Sequence, residues 1–306
     1  MHTLQNCFDL QVNGFGGTDF SHPGLSPESF AQACDGLRAA GTERFLATVI
    51  TSSDDTYRAV LPVLGNAIAS GGSAAAGVHL EGPFISGKDG FRGAHSREHV
   101  RAPDTSFLET LFELSRGTVR LLTLAAECEG ACRCIEHAAS LGIAVSLGHQ
   151  DATIGQLREA VSAGARALTH LGNGMPQASD RHRNALLAGL AVDELAAMII
   201  ADGHHLPPEL ITTIIRVKGE DNVILTSDAS PLAGMPPGAY RSMGQKTILE
   251  DSGRLYNPDT GYLVGSSATL ARCITYCTSQ NICSAGTIRK MAVDNPERLS
   301  GVGQTK

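Results

Sequence analysis

The chain lacks any stretch approaching the roughly 20 apolar residues that a helix needs to cross a bilayer, which excludes an ordinary membrane span. It also lacks runs of Lys or Arg, and its formal net charge is -7. Nucleic acid and anionic membrane surfaces are therefore not expected as main partners, while a local basic pocket for a small anion stays open. The polar start MHTLQN has no apolar core of the signal-peptide kind, so the expected location is cytoplasmic. No G-x-G-x-x-G turn follows a candidate strand, and there is neither a Walker-type phosphate loop nor a short repeat. Eight cysteines in 306 residues do not make a disulfide scaffold. Cys7, Cys34, Cys273, Cys277 and Cys283 sit in apolar patterns and are expected as buried thiols. Cys128, Cys132 and Cys134 in CEGACRC are close enough to chelate a metal, but their spacing matches no usual zinc pair and the run enters a helix.

What is present is an alternation of short β-rich runs with longer helical patterns. With 42% hydrophobic residues, 34 glycines and 18% charged residues, the composition fits a compact, loop-rich α/β chain, read here as one domain over 1–306. Candidate strands cover 7–12, 44–50, 76–80, 119–124, 143–148, 166–170, 196–201 and 222–227. Helical patterns lie between them. SPESFAQACDGLRAAG opens with a Ser-x-x-Glu style start and closes on Gly41, and several others also end on glycine. Eight strands, each followed by helix or loop, is the count of a (β/α)8 TIM-type barrel, whose functional face lies at the strand C-terminal ends. Long insertions after the third strand (82–105), the sixth (171–187) and the eighth (229–264) are read as loops that carry function.

Chemistry-bearing residues gather at those strand ends. The third strand runs into Glu81, a carboxylate that burial makes costly unless it meets a cation. The fifth ends at His149 and the sixth at His170. Glu plus two His leaves a fourth coordination position open, the pattern of a catalytic zinc site, where water becomes a nucleophile at neutral pH. The eighth strand delivers Asp228, placed to accept a proton from water and pass it to a leaving amine. His95 in RGAH is a candidate donor to a developing oxyanion, and His205 in IIADGHHL a candidate for a substrate hydroxyl or phosphate. His204 and His79 read equally as packing groups. Asn173, Gly174, Arg181, His182 and Arg183 in GNGMPQASDRHRN read either as an anion pocket or as a solvated loop. In the first strand, DLQVN, alternation turns Leu10 and Val12 one way and Gln11 and Asn13 the other, which is either a site rim or an ordinary strand exit.

Taken in order, DLQVNGFGG, GVHLEGPFIS with KDGFRGAH, SLGHQDAT, THLGNGMP with its arginine, IIADGHHL, TSDASPLAG and GYLVGSSATL resemble the N-acetylglucosamine-6-phosphate deacetylases of the amidohydrolase superfamily. The terminal MAVDNPERLSG resembles the last barrel helix of that family. The resemblance implies that Glu81, His149 and His170 bind one divalent metal, zinc first and iron, manganese or cobalt as alternatives. It implies Asp228 as general base and then acid, and His95 as the group that polarises the acetyl carbonyl. It further implies that His205, Asn173, Gly174 and Arg181 hold the sugar phosphate, with Arg181 reaching across a homodimer. The implied reaction releases acetate from N-acetylglucosamine 6-phosphate; alternatives are a galactosamine or non-phosphorylated substrate, or a catalytically silent sugar-phosphate binder. Two departures stand out. About eight residues precede the first strand, so the small β-sandwich of the family is expected to be missing, and GNG and His182-Arg183 replace the usual aromatic-Asn-Ala and Glu-Pro. Many amidohydrolases end the first strand in His-x-His to hold a second metal; Gln11-x-Asn13 supplies weaker ligands, which implies a single metal.

Overall fold

The computed structural model describes residues 4–303. Residues 1–3, part of the polar start, and 304–306, part of the terminal SGVGQTK, lie outside the described residues. Eight strands form one parallel sheet in sequential order: β1 (Phe8–Val12), β2 (Arg44–Ile50), β3 (Ala75–Glu81), β4 (Val119–Leu124), β5 (Ala144–Leu147), β6 (Ala167–Leu168), β7 (Ala196–Ile200) and β8 (Val223–Thr226). Each is followed by a helix: α1 (Pro27–Ala39), α2 (Asp54–Ala69), α3 (Thr105–Leu114), α4 (Ala131–Ser140), α5 (Ile154–Ala163), α6 (Ala185–Leu190), α7 (Pro208–Lys218) and α8 (Leu270–Ser279). A parallel sheet needs both faces covered, and the buried, nearly continuous apolar strands meet that need by packing against the helix ring. This is the TIM-type (β/α)8 barrel expected from the strand count.

Among the described residues β1 and β8 form no ladder; an isolated bridge joins Val12 to Ala229 just beyond β8, and side chains close the seam. Asp9 Oδ1 accepts from Thr226 Oγ1 (2.7 Å) and the Ser227 N–H (3.1 Å), and the Asn13 N–H donates to Ala229 O at 2.7 Å. β1 is also bulged, its register against β2 shifting between Asp9 and Val12. The expected alternation consequently fails for one pair: Leu10 packs inside the barrel and Val12 in the outer core.

Three layers fill the barrel. Its floor is apolar, built from Phe8, Leu10, Leu46, Leu121, Met198 and Ile224. Leu299 of the helical tail 285–300, and Val302 just after it, pack against that floor, and Asn295 ties the tail to the Glu220 and Val223 carbonyls. Above the floor lies a hydrogen-bonded chain. Thr169 donates to Ser146 Oγ (2.6 Å), so Thr123 must donate to Thr169 (2.7 Å) and accept from His79 Nε2 (2.8 Å). His79 Nδ1 then accepts from Thr48, 3.3 Å away. The functional residues form the third layer, at the strand C-terminal ends.

Several sequence expectations need correction. Ser26 does cap α1, but the reciprocal partner in its capping box is Ser29, with Glu28 one position earlier. The insertion after β8 is not plain loop: Gly238–Ser242, Gln245–Leu249 and Leu255–Tyr256 form an antiparallel sheet over a small core of Leu232, Leu249 and Leu255. Cys283 is half-buried rather than buried, and Cys134 lies in the core while Cys128 and Cys132 are half-buried. Among the described residues the sheets are the barrel, this three-stranded sheet and a two-stranded hairpin; none is a β-sandwich. None of the described helices is long and apolar enough to cross a membrane.

Burial pushes the His79 imidazole down from 6.5 to about 4, so the folded barrel binds its neutral form. Its contribution to stability is therefore complete above about pH 6.5 and is lost as pH falls toward 4, by up to about 3 kcal/mol. Urea midpoints measured between pH 7.5 and 4.5 should fall with pH, and His79→Gln should flatten that slope; an unchanged slope in the variant contradicts the assignment.

Candidate metal centre

Glu81 ends β3 inside the barrel mouth, 3% exposed, and its Oε1 is the meeting point of the site. Gln11 Nε2 donates to it at 2.8 Å, His170 Nε2 lies 3.0 Å away and His149 Nε2 3.2 Å away. The two imidazole nitrogens are 3.1 Å apart. His95, from the long connection after β3, brings its Nε2 to 3.2 Å from His149 Nε2 and 3.8 Å from Glu81 Oε2. Glu81, His95 and His149 form a group whose ligand atoms all lie within 4.8 Å of one another, and His170 converges on the same point.

These donors fit a divalent cation. Tetrahedral coordination at roughly 2.0–2.1 Å sets ligand atoms about 3.3 Å apart, close to the separations among Glu81, His149 and His170. The other ring nitrogens assign roles. His149 Nδ1 lies 3.0 Å from the Phe91 carbonyl, so it carries the proton and turns the Nε2 lone pair inward. His95 Nδ1 faces the Thr51 N–H (3.4 Å) and Thr51 Oγ1 (2.9 Å); a backbone N–H can only donate, which leaves the proton on His95 Nε2. His95 is thus a donor toward the cluster. Burial and then His149 push it down to about 3, keeping it neutral. Burial alone would raise Glu81, yet the imidazoles crowded around it, His149 and His170 first, outweigh burial and hold this carboxyl well below the usual range.

The local backbone is shaped for this convergence. His149, His170 and Asp228 all leave their strands in the left-handed region, at φ 51°, 32° and 50°. Such conformations cost side-chain-bearing residues of order 1–3 kcal/mol each and cluster at functional sites. Gly174, at φ 62°, lies against the cluster: a Cβ there would come within 3.0 Å of His149 Nδ1 and 3.3 Å of His170 Cε1. This is a second role for a residue expected to serve the sugar phosphate.

The remaining expected residues divide. Asp228 is bonded through Oδ1 to Asn13 Nδ2 at 2.7 Å; burial and then the Glu81 charge push it up to about 7. His205 is bound through Nδ1 to Asp202 Oδ2 at 2.8 Å, and although burial lowers it, Asp202 more than compensates and holds it above its ordinary value. Asp202 went unnoticed in the sequence; the signal was its position in Asp-Gly-His-His, where Oδ1 also accepts the His204 and His205 N–H groups. Asn173 stays beside the cluster, its Nδ2 donating to the His170 carbonyl at 3.1 Å. Arg181, His182 and Arg183 are exposed on the connection before α6, and Arg181 has no ion-pair partner among the described residues. His204 Nε2 lies 3.2 Å from the Ser252 carbonyl and His79 belongs to the layer below, so both are supporting groups.

A (β/α)8 barrel with a carboxylate and three imidazoles at its C-terminal mouth has the build of an enzyme whose site fits a divalent cation. No protein-family model matches the chain. It is 33% identical over 311 residues to N-acetylglucosamine-6-phosphate deacetylase of Bos taurus, covering 97% of this chain and 74% of that protein. It is 30% identical over 296 residues to N-acetylgalactosamine-6-phosphate deacetylase of Escherichia coli O157:H7, covering 96% and 77%. Among solved structures, N-acetyl-D-glucosamine-6-phosphate deacetylase of Mycobacterium smegmatis in complex with N-acetyl-D-glucosamine-6-phosphate superposes with a TM-score of 0.89 at 27% identity, covering 97% and 77%. The chain belongs to the N-acetylglucosamine-6-phosphate deacetylase family, hydrolases of an amide bond.

Gly174→Ala drives a methyl group against two imidazoles and should lower affinity for divalent metal about 10–100-fold, the range for disturbed ligand supports. Competition with a coloured chelator measures this; wild-type affinity contradicts the packing role.

Proposed function

We propose that the protein removes the N-acetyl group of N-acetylglucosamine 6-phosphate, giving glucosamine 6-phosphate and acetate. The observation that carries this reading is the convergence of Glu81, His149, His170 and His95 on one point, with Asp228 on the same rim. In this reading Glu81, His149 and His170 hold one divalent cation, which when bound supplies Lewis-acid polarisation and acidifies water. Imidazole and carboxylate donors suit zinc, and iron, manganese and cobalt are compatible. A single ion is favoured because the amide oxygens of Gln11 and Asn13 are weaker ligands for such cations than imidazole.

The chain's own groups divide the work. Asp228 takes a proton from the attacking water and returns it to the departing amine, a double task suited to a carboxyl whose pKa lies near the working pH. His95 donates its Nε2–H to the acetyl oxygen as negative charge grows there. His205, kept basic by Asp202, and Asn173 take the polar end of the sugar. Arg181, exposed and unpaired among the described residues, is assigned to the phosphate, supplied across a homodimer. A second reading, N-acetylgalactosamine 6-phosphate as substrate, is favoured by the E. coli relative.

Acetate release from the two epimers, each with and without the 6-phosphate, tests the proposal. The glucosamine phosphate should be fastest, and indifference to the phosphate would refute the anion pocket. Asp228→Asn should keep its metal and lose about 10²–10⁴ in kcat, the usual range for acid–base groups; near-normal turnover in metal-replete mutant protein rules out the assigned role. Failure to release acetate from every one of these sugars leaves a silent binding protein.

A further inference from the structure

Asn13 and Asp228 stand 215 residues apart in sequence, yet Asn13 Nδ2 donates to Asp228 Oδ1 at 2.7 Å. Asn13 comes off a fixed backbone. It is 2% exposed, its N–H donates to Ala229 O at 2.7 Å, and its carbonyl accepts from the Phe20 N–H at 3.0 Å. One residue thus binds the backbone just after Asp228 and the Asp228 side chain itself. This double link lies at the barrel seam, where Asp9, Thr226 and Ser227 replace a regular ladder between β1 and β8.

Asp228 needs such a link. Its backbone is left-handed at φ 50°, and the terminal torsion of an aspartate is broad, so nothing intrinsic to the residue sets the plane of its carboxylate. Among the described residues Asn13 makes the one side-chain hydrogen bond to that carboxylate, to Oδ1, and none reaches Oδ2. The Glu81 charge acts on Asp228 without a hydrogen bond between them. Gly265 leaves room beside the free oxygen, since even a Cβ there would stay 3.9 Å from Oδ2. One oxygen is pinned and the other is presented to the pocket.

We infer that Asn13 is a positioning residue: by holding Oδ1 from the barrel seam it sets the carboxylate plane so that Oδ2 exchanges the proton with water and amine. The inference rests on the reading of Asp228 as general base, and it assigns Asn13 no contact with substrate. A misplaced reacting group costs up to about 10²-fold in rate while binding is untouched, so the loss belongs in kcat.

Metal-replete wild type, Asn13→Ala and Asn13→Leu are compared for acetate release from N-acetylglucosamine 6-phosphate and for bound metal. The expected result is a kcat lower by about 10–100-fold, KM within about twofold and unchanged metal content. Wild-type kcat in either variant overturns the inference, and so does loss of metal, which would make Asn13 a support of the metal instead. Asn13→Ser, too short to reach Oδ1, serves if the apolar variants do not fold; it should lose kcat as well, and retained kcat overturns the inference. Inactive wild type would refute the proposed function rather than the link between the two residues. That link is then read by thermal unfolding: Asn13→Ala should lower the Tm clearly in the native background and much less in an Asp228→Ala background. Equal shifts in both backgrounds overturn it.

Discussion

One buried carboxylate organises this molecule. Glu81 ends β3 inside the barrel, where an unpaired charge would cost several kcal/mol, and the chain answers with groups from four other segments. Gln11 arrives from β1, His95 from the connection after β3, His149 from the end of β5 and His170 from the end of β6. Only a closed barrel brings these strand ends to one point. The apolar floor and the Thr and His layer above it keep the interior packed beneath the site.

Convergence also requires strained backbone. Three residues in the left-handed region, His149, His170 and Asp228, turn from their strands into the mouth of the barrel. Gly174 lies close to the imidazole rings in a place no side chain can occupy without displacing them. The pocket is rigid where donors must stay aligned, whereas the exposed connection bearing Arg181 is tied down by Asp180, which caps the His182 and Arg183 N–H groups at 2.8 Å. Alignment at the mouth suits the hydrolysis of an amide bond.

Much of this was legible in the sequence because the signals are local. Apolar runs such as RFLATVI became β2 residue for residue, and glycines such as Gly41 and Gly142 mark helix ends. A carboxylate or imidazole at or within three residues of the end of an apolar run, as at Glu81, His149, His170 and Asp228, marks a strand end that faces the mouth. What stayed hidden depends on partners far along the chain. Asp9 reads as an ordinary strand residue until Thr226 and Ser227 meet it across the seam, and Asp202 reads as a turn former until His205 folds back on it. The bulge in β1 was likewise silent, since Leu10 and Val12 are equally apolar and only the barrel decides which core each enters. The small sheet at 238–256 escaped because its strands are largely polar, with Leu249 and Leu255 their only buried apolar side chains.

The amides Gln11 and Asn13 connect these levels. By the resemblance each stands where many amidohydrolases carry a histidine for a second metal, and each donates to a carboxylate of the site. The central claim is therefore a hydrolase that works with one cation. Titrating metal-stripped protein with zinc while following acetate release from N-acetylglucosamine 6-phosphate tests it most directly. Activity should return in proportion to added metal and saturate at one ion per chain; activity that survives stripping, or that requires two ions, contradicts the account.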